Sequence, residues 1–155
     1  MKSFLSKLKF RNINVFVYRI DKCKPYVKVG LSYEILREKV NSNKIRYYIF
    51  ESNSIVHESY LFSKIFLLRC VKKTGPVIGD CMTNKKFRGQ SIYPYVINHI
   101  VNETLSSDVK EVFVIVNKSN PSSIRGIEKA GFNKFASIKS NKWLLFYFNK
   151  KIKYF

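Results

Sequence analysis

The feature that most constrains the fold is an almost wholly apolar stretch, Glu111–Val116 (EVFVIV), in the second half of the chain. Strands that are covered on both faces carry such continuous runs, whereas strands with one wet face alternate apolar and polar residues. The stretch is therefore predicted to be a central strand of a layered sheet. A chain of 155 residues is long enough to bury one core of this kind in a single domain.

Two segments that flank this strand have the pattern of helices packed on a sheet. In Ser91–Leu105 the apolar residues share one helical face, and Pro94 falls in the first turn, where proline is tolerated. In Pro121–Ala130 the helix has both of its ends marked, because Asn120 is a good N-cap and Gly131 lies just past the last residue.

The remaining segments predict a sheet with short connections. Strands are expected at Ile13–Ile20, Lys44–Phe50, Ile55–Phe62 and Val77–Thr83, with a turn at Glu51–Ser54 and a bulge near Gly79. The spacing of apolar residues in Leu31–Val40 predicts a short helix. Phe135–Ile138 and Trp143–Phe148 are expected to form a hairpin around Ser140-Asn141, and Ser63–Val71 either extends the sheet or covers a pocket. The order predicts one mixed α/β sheet with helices packed on it.

The charge is strongly basic, with 29 Lys and Arg against 10 Asp and Glu, a net of +19. Such a charge favours an anionic partner, which could be nucleic acid, a membrane surface or a phosphorylated ligand. The alternative is that the positive charge reflects a biased amino-acid composition and not a function, since the chain is also rich in Asn and Ile. The basic residues are spread along the chain, which argues against a basic arm or tail.

Several classes of protein and site are disfavoured. Cys23, Cys70 and Cys81 are scattered and odd in number, which argues against a disulfide framework or a zinc site and fits a reducing compartment. Met1–Phe10 lacks the apolar core of a signal peptide, and the longest apolar runs are far shorter than a membrane span. A cytoplasmic protein without a metal is the expectation.

The segment that points to chemistry is Asn84–Gln90 (NKKFRGQ), a basic turn with a glycine between the strand Val77–Thr83 and the helix at Ser91. Unpaired amides at a helix N-terminus and the positive end of the helix dipole make an anion site, and Arg88 adds charge. A pyrophosphate is its natural occupant, although the turn matches neither a Walker A loop nor a dinucleotide fingerprint. The alternative is an ordinary solvated turn.

Two motifs resemble the GNAT superfamily of acyl-CoA-dependent N-acetyltransferases. Thr83–Val96 (TNKKFRGQSIYPYV) is similar to the family's pyrophosphate loop, in which an aromatic residue and [RQ]-G-x-G-[IV]-[GA] open a helix. Asn120–Phe132 (NPSSIRGIEKAGF) is similar to the family's N-x-x-[AS]…G-F helix, and the order of elements suits the family from Ile13 to Phe148. The two motifs together span about a sixth of the chain.

The resemblance implies a GNAT-like fold over residues 1–155: one mostly antiparallel, twisted sheet of about six to seven strands, helices on both faces and a splayed central strand pair. It implies acetyl-CoA as the acyl donor and direct attack of an amine on the thioester, with catalysis mainly by positioning. The residues that would contact acetyl-CoA are Met82, Thr83, Arg88, Gly89, Gln90, Ser91, Ile92, Tyr93, Asn120 and Ser123.

The sequence departs from the family pattern at three positions. Ser91 and Tyr93 stand where small residues are usual, and the bulk of Tyr93 could point away into the core. The common tyrosine acid of the last helix has no match, because that position is Ile127.

Other residues must then move protons. Asp80 is the first candidate base, because burial in a strand would raise its pKa, and His57 is the second, because histidine titrates in the right range. Asp80 and His57 could each also have an ordinary structural role. His99 lies at the edge of the apolar helix face and is interpreted as structural. Cys81 as an acyl-carrying nucleophile would need a partner base that the sequence does not reveal.

The acceptor is the least determined part. The resemblance implies an amino sugar linked to a nucleotide, as in surface-polysaccharide pathways (lipopolysaccharide or capsule), and a protein or peptide amine is the next option. The resemblance is also compatible with a homodimer. A non-catalytic, basic nucleic-acid-binding module and a degenerate GNAT fold that binds CoA without transfer are the competing hypotheses.

Overall fold

The computed structural model describes residues 10–22, 25–26, 31–144 and 146–155. The strands are β1 (Arg11–Ile20), β2 (Leu36–Asn41), β3 (Lys44–Glu51), β4 (Ser54–Phe62), β5 (Val77–Thr83), β6 (Val112–Asn117), β7 (Asn133–Trp143) and β8 (Phe146–Tyr154). The helices are α1 (Ile92–Leu105), α2 (Pro121–Lys129) and two 3₁₀-helices, Phe66–Val71 and Lys85–Phe87. No helix in these described ranges has the length and apolar character needed to span a membrane.

All eight strands form one sheet in the order β2-β3-β4-β5-β6-β1-β7-β8. Every neighbouring pair is antiparallel except β5 and β6, which run parallel and pair only at Val77 with Phe113 and at Ile78 with Val114. The sheet therefore consists of an N-terminal arm (β2–β5) and a C-terminal arm (β6, β1, β7 and β8) that meet at one short contact. This is the splayed central pair that the resemblance implied.

The two faces of the sheet build two apolar clusters. Alternate residues of β6 face opposite ways, so that Val112, Val114 and Val116 join α1 and α2 while Phe113 joins the other cluster. The prediction that the run Glu111–Val116 contains a central strand covered on both faces is confirmed.

The predicted fold class is confirmed, with eight strands rather than six or seven. In the part of the chain that the structure describes, both α-helices lie on one face, and the cover on the second face is the 3₁₀-helix Phe66–Val71, whose Leu67, Leu68 and Val71 are buried. Ser63–Val71 thus neither extends the sheet nor covers the cleft described below.

The helix predicted over Leu31–Val40 is wrong. Leu31, Tyr33 and Ile35 pack against the core at every second residue, which is the period of an extended chain, and the strand β2 follows. The apolar spacing that suggested a helix arises because β2 is an edge strand with mostly exposed side chains.

The final hairpin is longer than predicted, and its turn lies elsewhere. Ser140 and Asn141 are inside β7. Ser140 stands opposite a bulge at Asn149 and Lys150 of β8, and Asn141 pairs with Phe148. The chain reverses between the register partners Trp143 and Phe146. The sequence did not indicate this position because the residues there are apolar, whereas turns usually contain Gly, Asn or Asp.

The first strand belongs to the C-terminal arm. β1 pairs with β6 on one edge and with β7 on the other, and the Tyr18 hydroxyl donates a hydrogen bond of 2.7 Å to Glu128 of α2. β1 therefore lies on the opposite side of the splay from β2, β3 and β4, although all four strands come from the first half of the chain.

Candidate active site

The splay begins at a β-bulge in β5. Asp80 and Cys81 together stand opposite Ser59 of β4, and Asp80 has a positive φ of 48°. A bulge of this kind bends its strand and increases the local twist. Because β6 pairs with β5 only as far as Ile78, the edge of β5 from Gly79 onward turns away from β6 and opens a gap between the two arms.

A cleft of about 550 Å³ begins at this edge and passes between the first turns of α1 and α2. A smaller cavity of about 170 Å³ occupies the gap itself and is lined by β5 residues Ile78–Cys81 and by the end of β6. The cleft is lined by Cys81–Thr83, Phe87–Gly89, Ser91–Pro94, Asn120, Ser122, Ser123, Arg125, Gly126 and Lys129.

The loop between β5 and α1 is folded by its own polar groups. The Asn84 side chain accepts a hydrogen bond from the Lys86 amide at 3.2 Å, and Arg88 Nε donates to the Thr83 carbonyl at 3.1 Å. Gly89 has φ 81°, and an added Cβ would meet no atom within 4 Å. The loop therefore leaves open space at Gly89, beside the guanidinium of Arg88.

The N-terminus of α1 faces this space. Ser91 is the N-cap residue with φ 63°, and its side chain makes no capping hydrogen bond. The first amides of a helix lack a carbonyl partner one turn back, and the helix dipole makes this end positive. With Arg88, Arg125 and Lys129 on the lining, the cleft has the charge and donors for a phosphorylated ligand.

The N-terminus of α2 is capped from within the chain. Asn120 Oδ1 accepts hydrogen bonds from the Ser123 amide at 3.2 Å and from the Ser122 hydroxyl at 3.0 Å. The predicted N-cap and the predicted Pro121 at the first helical position are confirmed. The Asn120 side-chain oxygen is thus engaged in holding the helix start.

Tyr93 fills the space between the two helices. A Cβ added to Gly126 would lie 2.4 Å from Cδ1 and 2.8 Å from Cε1 of the Tyr93 ring, so the ring rests directly on the backbone of α2. The Tyr93 side chain also hydrogen-bonds the Cys81 thiol, and burial raises the pKa of Tyr93. The large residue at position 93 is accommodated because position 126 has no side chain.

His57 is fully buried beside this group. Its Nδ1 lies 2.7 Å from the Thr83 hydroxyl and its Nε2 lies 2.7 Å from the Ser59 hydroxyl. Desolvation lowers the pKa of His57 from 6.5 to about 4. The imidazole is therefore neutral near pH 7, and both of its nitrogens are engaged.

Asp80 is not buried, so the burial expected of this candidate base is wrong. The bulge turns its side chain outward, where 65% of it is exposed and Oδ2 lies 3.3 Å from Lys44 Nζ. The residue nevertheless borders the cavity in the gap.

Cys81 faces inward at the same bulge. Burial raises the pKa of its thiol to about 12, so it is protonated near pH 7 and is a weak nucleophile. In the part of the chain that the structure describes, no three His, Cys, Asp or Glu side chains cluster closely enough to hold a metal ion.

The structure brings together all of the residues expected around the acyl donor except Gln90, whose side chain accepts a hydrogen bond from the Tyr33 hydroxyl at 3.4 Å. Sequence reasoning missed Phe87, Arg125 and Lys129. The last two are spaced four residues apart on α2, and this basic i, i+4 pair was the available signal. His99 is exposed on α1, away from the cleft lining.

Comparison with solved structures identifies the fold. A structure from Novosphingobium aromaticivorans that is assigned to the GNAT family of acetyltransferases superposes with a TM-score of 0.54 at 12% identity. The fold is GNAT-like. The likeness covers 81% of this chain and 62% of that structure, so this chain matches less than two thirds of its neighbour's length. Scans of protein-family models and of curated proteins find no match.

Proposed function

We propose that this chain is an N-acetyltransferase domain that moves an acetyl group from acetyl-CoA to a primary amine. The observation that carries the proposal is the single cleft that joins the unpaired edge of β5 to the N-terminus of α1. An extended amide-containing arm can pair with such a strand edge, and a pyrophosphate fits the helix N-terminus beside Arg88.

Different residues of the cleft would contact different parts of acetyl-CoA. Backbone groups of Met82 and Thr83 would pair with the pantetheine arm. The amides of Gly89 and of residues 91–93 would hold the pyrophosphate beside the Arg88 side chain, where Gly89 leaves the backbone accessible. Asn120 and Ser123 would lie near the pantetheine and the thiol. When bound, acetyl-CoA supplies a thioester whose acetyl group passes to the amine with release of the thiol.

For the base we propose Asp80, with His57 as the alternative. A general base must be within reach of the amine. The His57 imidazole is fully buried and both of its nitrogens are engaged by hydroxyl groups, so neither nitrogen is open to an incoming amine. Asp80 borders the gap between the arms and is exposed to an incoming amine. His57 then acts as a positioning residue that orients the Thr83 hydroxyl in the cleft.

The assignment of the base predicts different kinetics for two variants. Asp80→Asn is expected to lower turnover while the affinity for acetyl-CoA stays unchanged, because the carboxylate acts only on the amine. His57→Gln is expected to alter the KM for acetyl-CoA through Thr83. Steady-state rates with the acceptor found below check both, and unchanged turnover in Asp80→Asn would remove Asp80 from the mechanism.

The acceptor we propose is a nucleotide-linked amino sugar, and a protein or peptide amine is the alternative. Near Asp80, the ammonium of Lys44 lies 3.8 Å from the ring centroid of Tyr60 and 4.9 Å from that of Phe62. Aromatic rings can stack on a sugar, and a lysine can pair with its diphosphate. We place the reaction in the cytoplasm, in keeping with the scattered cysteines. A screen of amino-sugar nucleotides against acidic peptides, read by release of free thiol, separates the two acceptor classes.

Calorimetry with acetyl-CoA tests the proposed function directly. The wild type is expected to bind at micromolar concentration, and Arg88→Glu to bind about tenfold or more weakly, because it places a negative charge beside the pyrophosphate. Lys110→Glu is the matched control. It changes the net charge equally but lies past the far end of α1. Equal losses in both variants would indicate a general charge effect, and the absence of heat at millimolar acetyl-CoA would overturn the transferase proposal.

A further inference from the structure

The C-terminal arm ends in a projecting, apolar tip. β1 pairs with β6 only from Val15 onward, and the Asn14 carbonyl accepts a hydrogen bond from the Lys118 amide just after β6. Arg11–Ile13 pair with β7 beyond the end of β6. The tip consists of Phe10, Trp143, Leu144 and Phe146, which we call the aromatic tip. These side chains are 70%, 40%, 39% and 69% exposed, respectively.

The turn of this hairpin differs from the other turns of the sheet. β2 and β3 are joined by Ser42-Asn43, and β3 and β4 by Ser52-Asn53, which are polar and typical of turns. The third hairpin instead reverses between Trp143 and Phe146, and its described turn residue is the apolar Leu144. Phe10 stacks on Trp143, with ring centroids 5.9 Å apart and planes inclined by 13°, so the rings form a continuous apolar surface in the folded protein.

The charged side chains of β1, β7 and β8 behind the tip are all basic, and of these Arg19 is paired with Glu111 at 3.0 Å. The last acidic residue of the chain is Glu128, and the residues after it include seven lysines: Lys129, Lys134, Lys139, Lys142, Lys150, Lys151 and Lys153. β1 contributes Arg11 and Arg19 and no acid. The basic residues are spread along the sequence, but β1, β7 and β8 are adjacent in the sheet, so the fold gathers their positive charges in this arm.

Two of these lysines face each other directly. Lys139 of β7 is the register partner of Lys151 of β8, and both side chains are exposed. Like charges directly opposite on neighbouring strands repel. An anionic surface that covers the arm would relieve this repulsion.

We propose that the aromatic tip inserts into the interfacial region of an anionic lipid bilayer while the lysines of β7 and β8 contact the head groups. Tryptophan and other aromatic side chains favour that region, and clustered lysines are attracted to anionic lipids. Leu144 distinguishes this partner from nucleic acid, because an aliphatic side chain offers no ring on which a base could stack. The inference goes beyond the proposed function, and the tip shares no residue with the cleft.

Trp143 is the sole tryptophan of the chain, so its fluorescence reports on the tip alone. With vesicles of mixed phosphatidylcholine and phosphatidylglycerol, we expect its emission to shift to shorter wavelength and to be quenched by lipids brominated on the acyl chain. Vesicles of phosphatidylcholine alone and high salt are expected to weaken binding about tenfold or more, because the lysines then lose their electrostatic attraction.

A pair of variants isolates the apolar contribution. Leu144→Ser with Phe146→Ser retains Trp143 and is expected to weaken sedimentation with the mixed vesicles about tenfold. Phe50→Ser with Ile55→Ser is the matched control, because these register partners at the end of another hairpin are exposed to a similar degree. Circular dichroism confirms that each variant is folded.

Three results would overturn the proposal. Vesicle binding without quenching by brominated chains would mean a superficial charge contact. A blue shift that depends on protein concentration without lipid would mean that the tip binds a second copy of the chain. Quenching by oligothymidylate that competes with vesicles would mean a nucleic-acid surface.

Discussion

Gly126→Ala is expected to destabilise the protein by about 2 kcal/mol, although alanine is the better helix former by about 1 kcal/mol. The new methyl group would lie 2.4 Å from the Tyr93 ring, well inside van der Waals contact. The ring has little room to retreat, because Tyr93 is hydrogen-bonded to Cys81 and lies about 6 Å from His57, centroid to centroid. Thermal and urea unfolding measure the loss.

Repeating the substitution in a Tyr93→Ala variant tests this expectation. With Tyr93→Ala in place, the collision is gone, and Gly126→Ala is expected to stabilise the protein by about 1 kcal/mol through helix propensity alone. The sign of the Gly126→Ala effect should therefore reverse between the two backgrounds. The same sign in both would show that the ring does not rest on Gly126.

The packing also predicts a functional consequence. Both residues line the cleft, and Tyr93 lies in the first turn of α1, whose amides we assign to the pyrophosphate. A displaced ring would move that turn, so Gly126→Ala is expected to weaken acetyl-CoA binding in calorimetry. Retained affinity in a clearly destabilised variant would separate this packing from the cofactor site.

The second large effect is a loss of stability in mild acid that originates at His57. Its pKa is lowered to about 4 in the folded protein, so below pH 6.5 the unfolded chain takes up a proton that the folded chain does not. The unfolded state is then favoured as the pH falls from 6.5 to 4. The His57 contribution should make the protein about 2 kcal/mol less stable at pH 5 than at pH 7.5.

His57→Gln removes the titrating group, and its unfolding free energy is expected to change less over the same range. His99→Gln is the matched control, because this second histidine is exposed on α1, and the variant should keep the wild-type slope. Urea denaturation at a series of pH values measures both. A wild-type slope that persists in His57→Gln would place the acid sensitivity elsewhere.

Local signals in the sequence predicted the cleft more accurately than the sheet. Asn120, Pro121 and Gly131 mark the ends of α2, and the run from Phe87 to Ile92 marks a loop that opens a helix, so neighbouring residues carry this information. The position of β1 between β6 and β7 depends on partners about a hundred residues away, and no local pattern encodes it.

Two further features of the site could not be predicted from the sequence, each for a specific reason. The exposure of Asp80 follows from a bulge that reverses the expected alternation of inward and outward side chains in β5. The match between Tyr93 and Gly126 depends on how closely α1 and α2 approach, which neither helix determines by itself.

The placement of β1 has a consequence for the order in which the molecule can assemble. β2–β5 are neighbours both in sequence and in the sheet, so the N-terminal arm can form while synthesis continues, whereas β1 leaves the ribosome first and must wait for β6 and β7. Such distant pairing is slow, because a long loop must close before any contact compensates for its entropy. The gap between the arms, and with it the proposed site of acetyl transfer, can form only after β6 of the C-terminal arm has met β5.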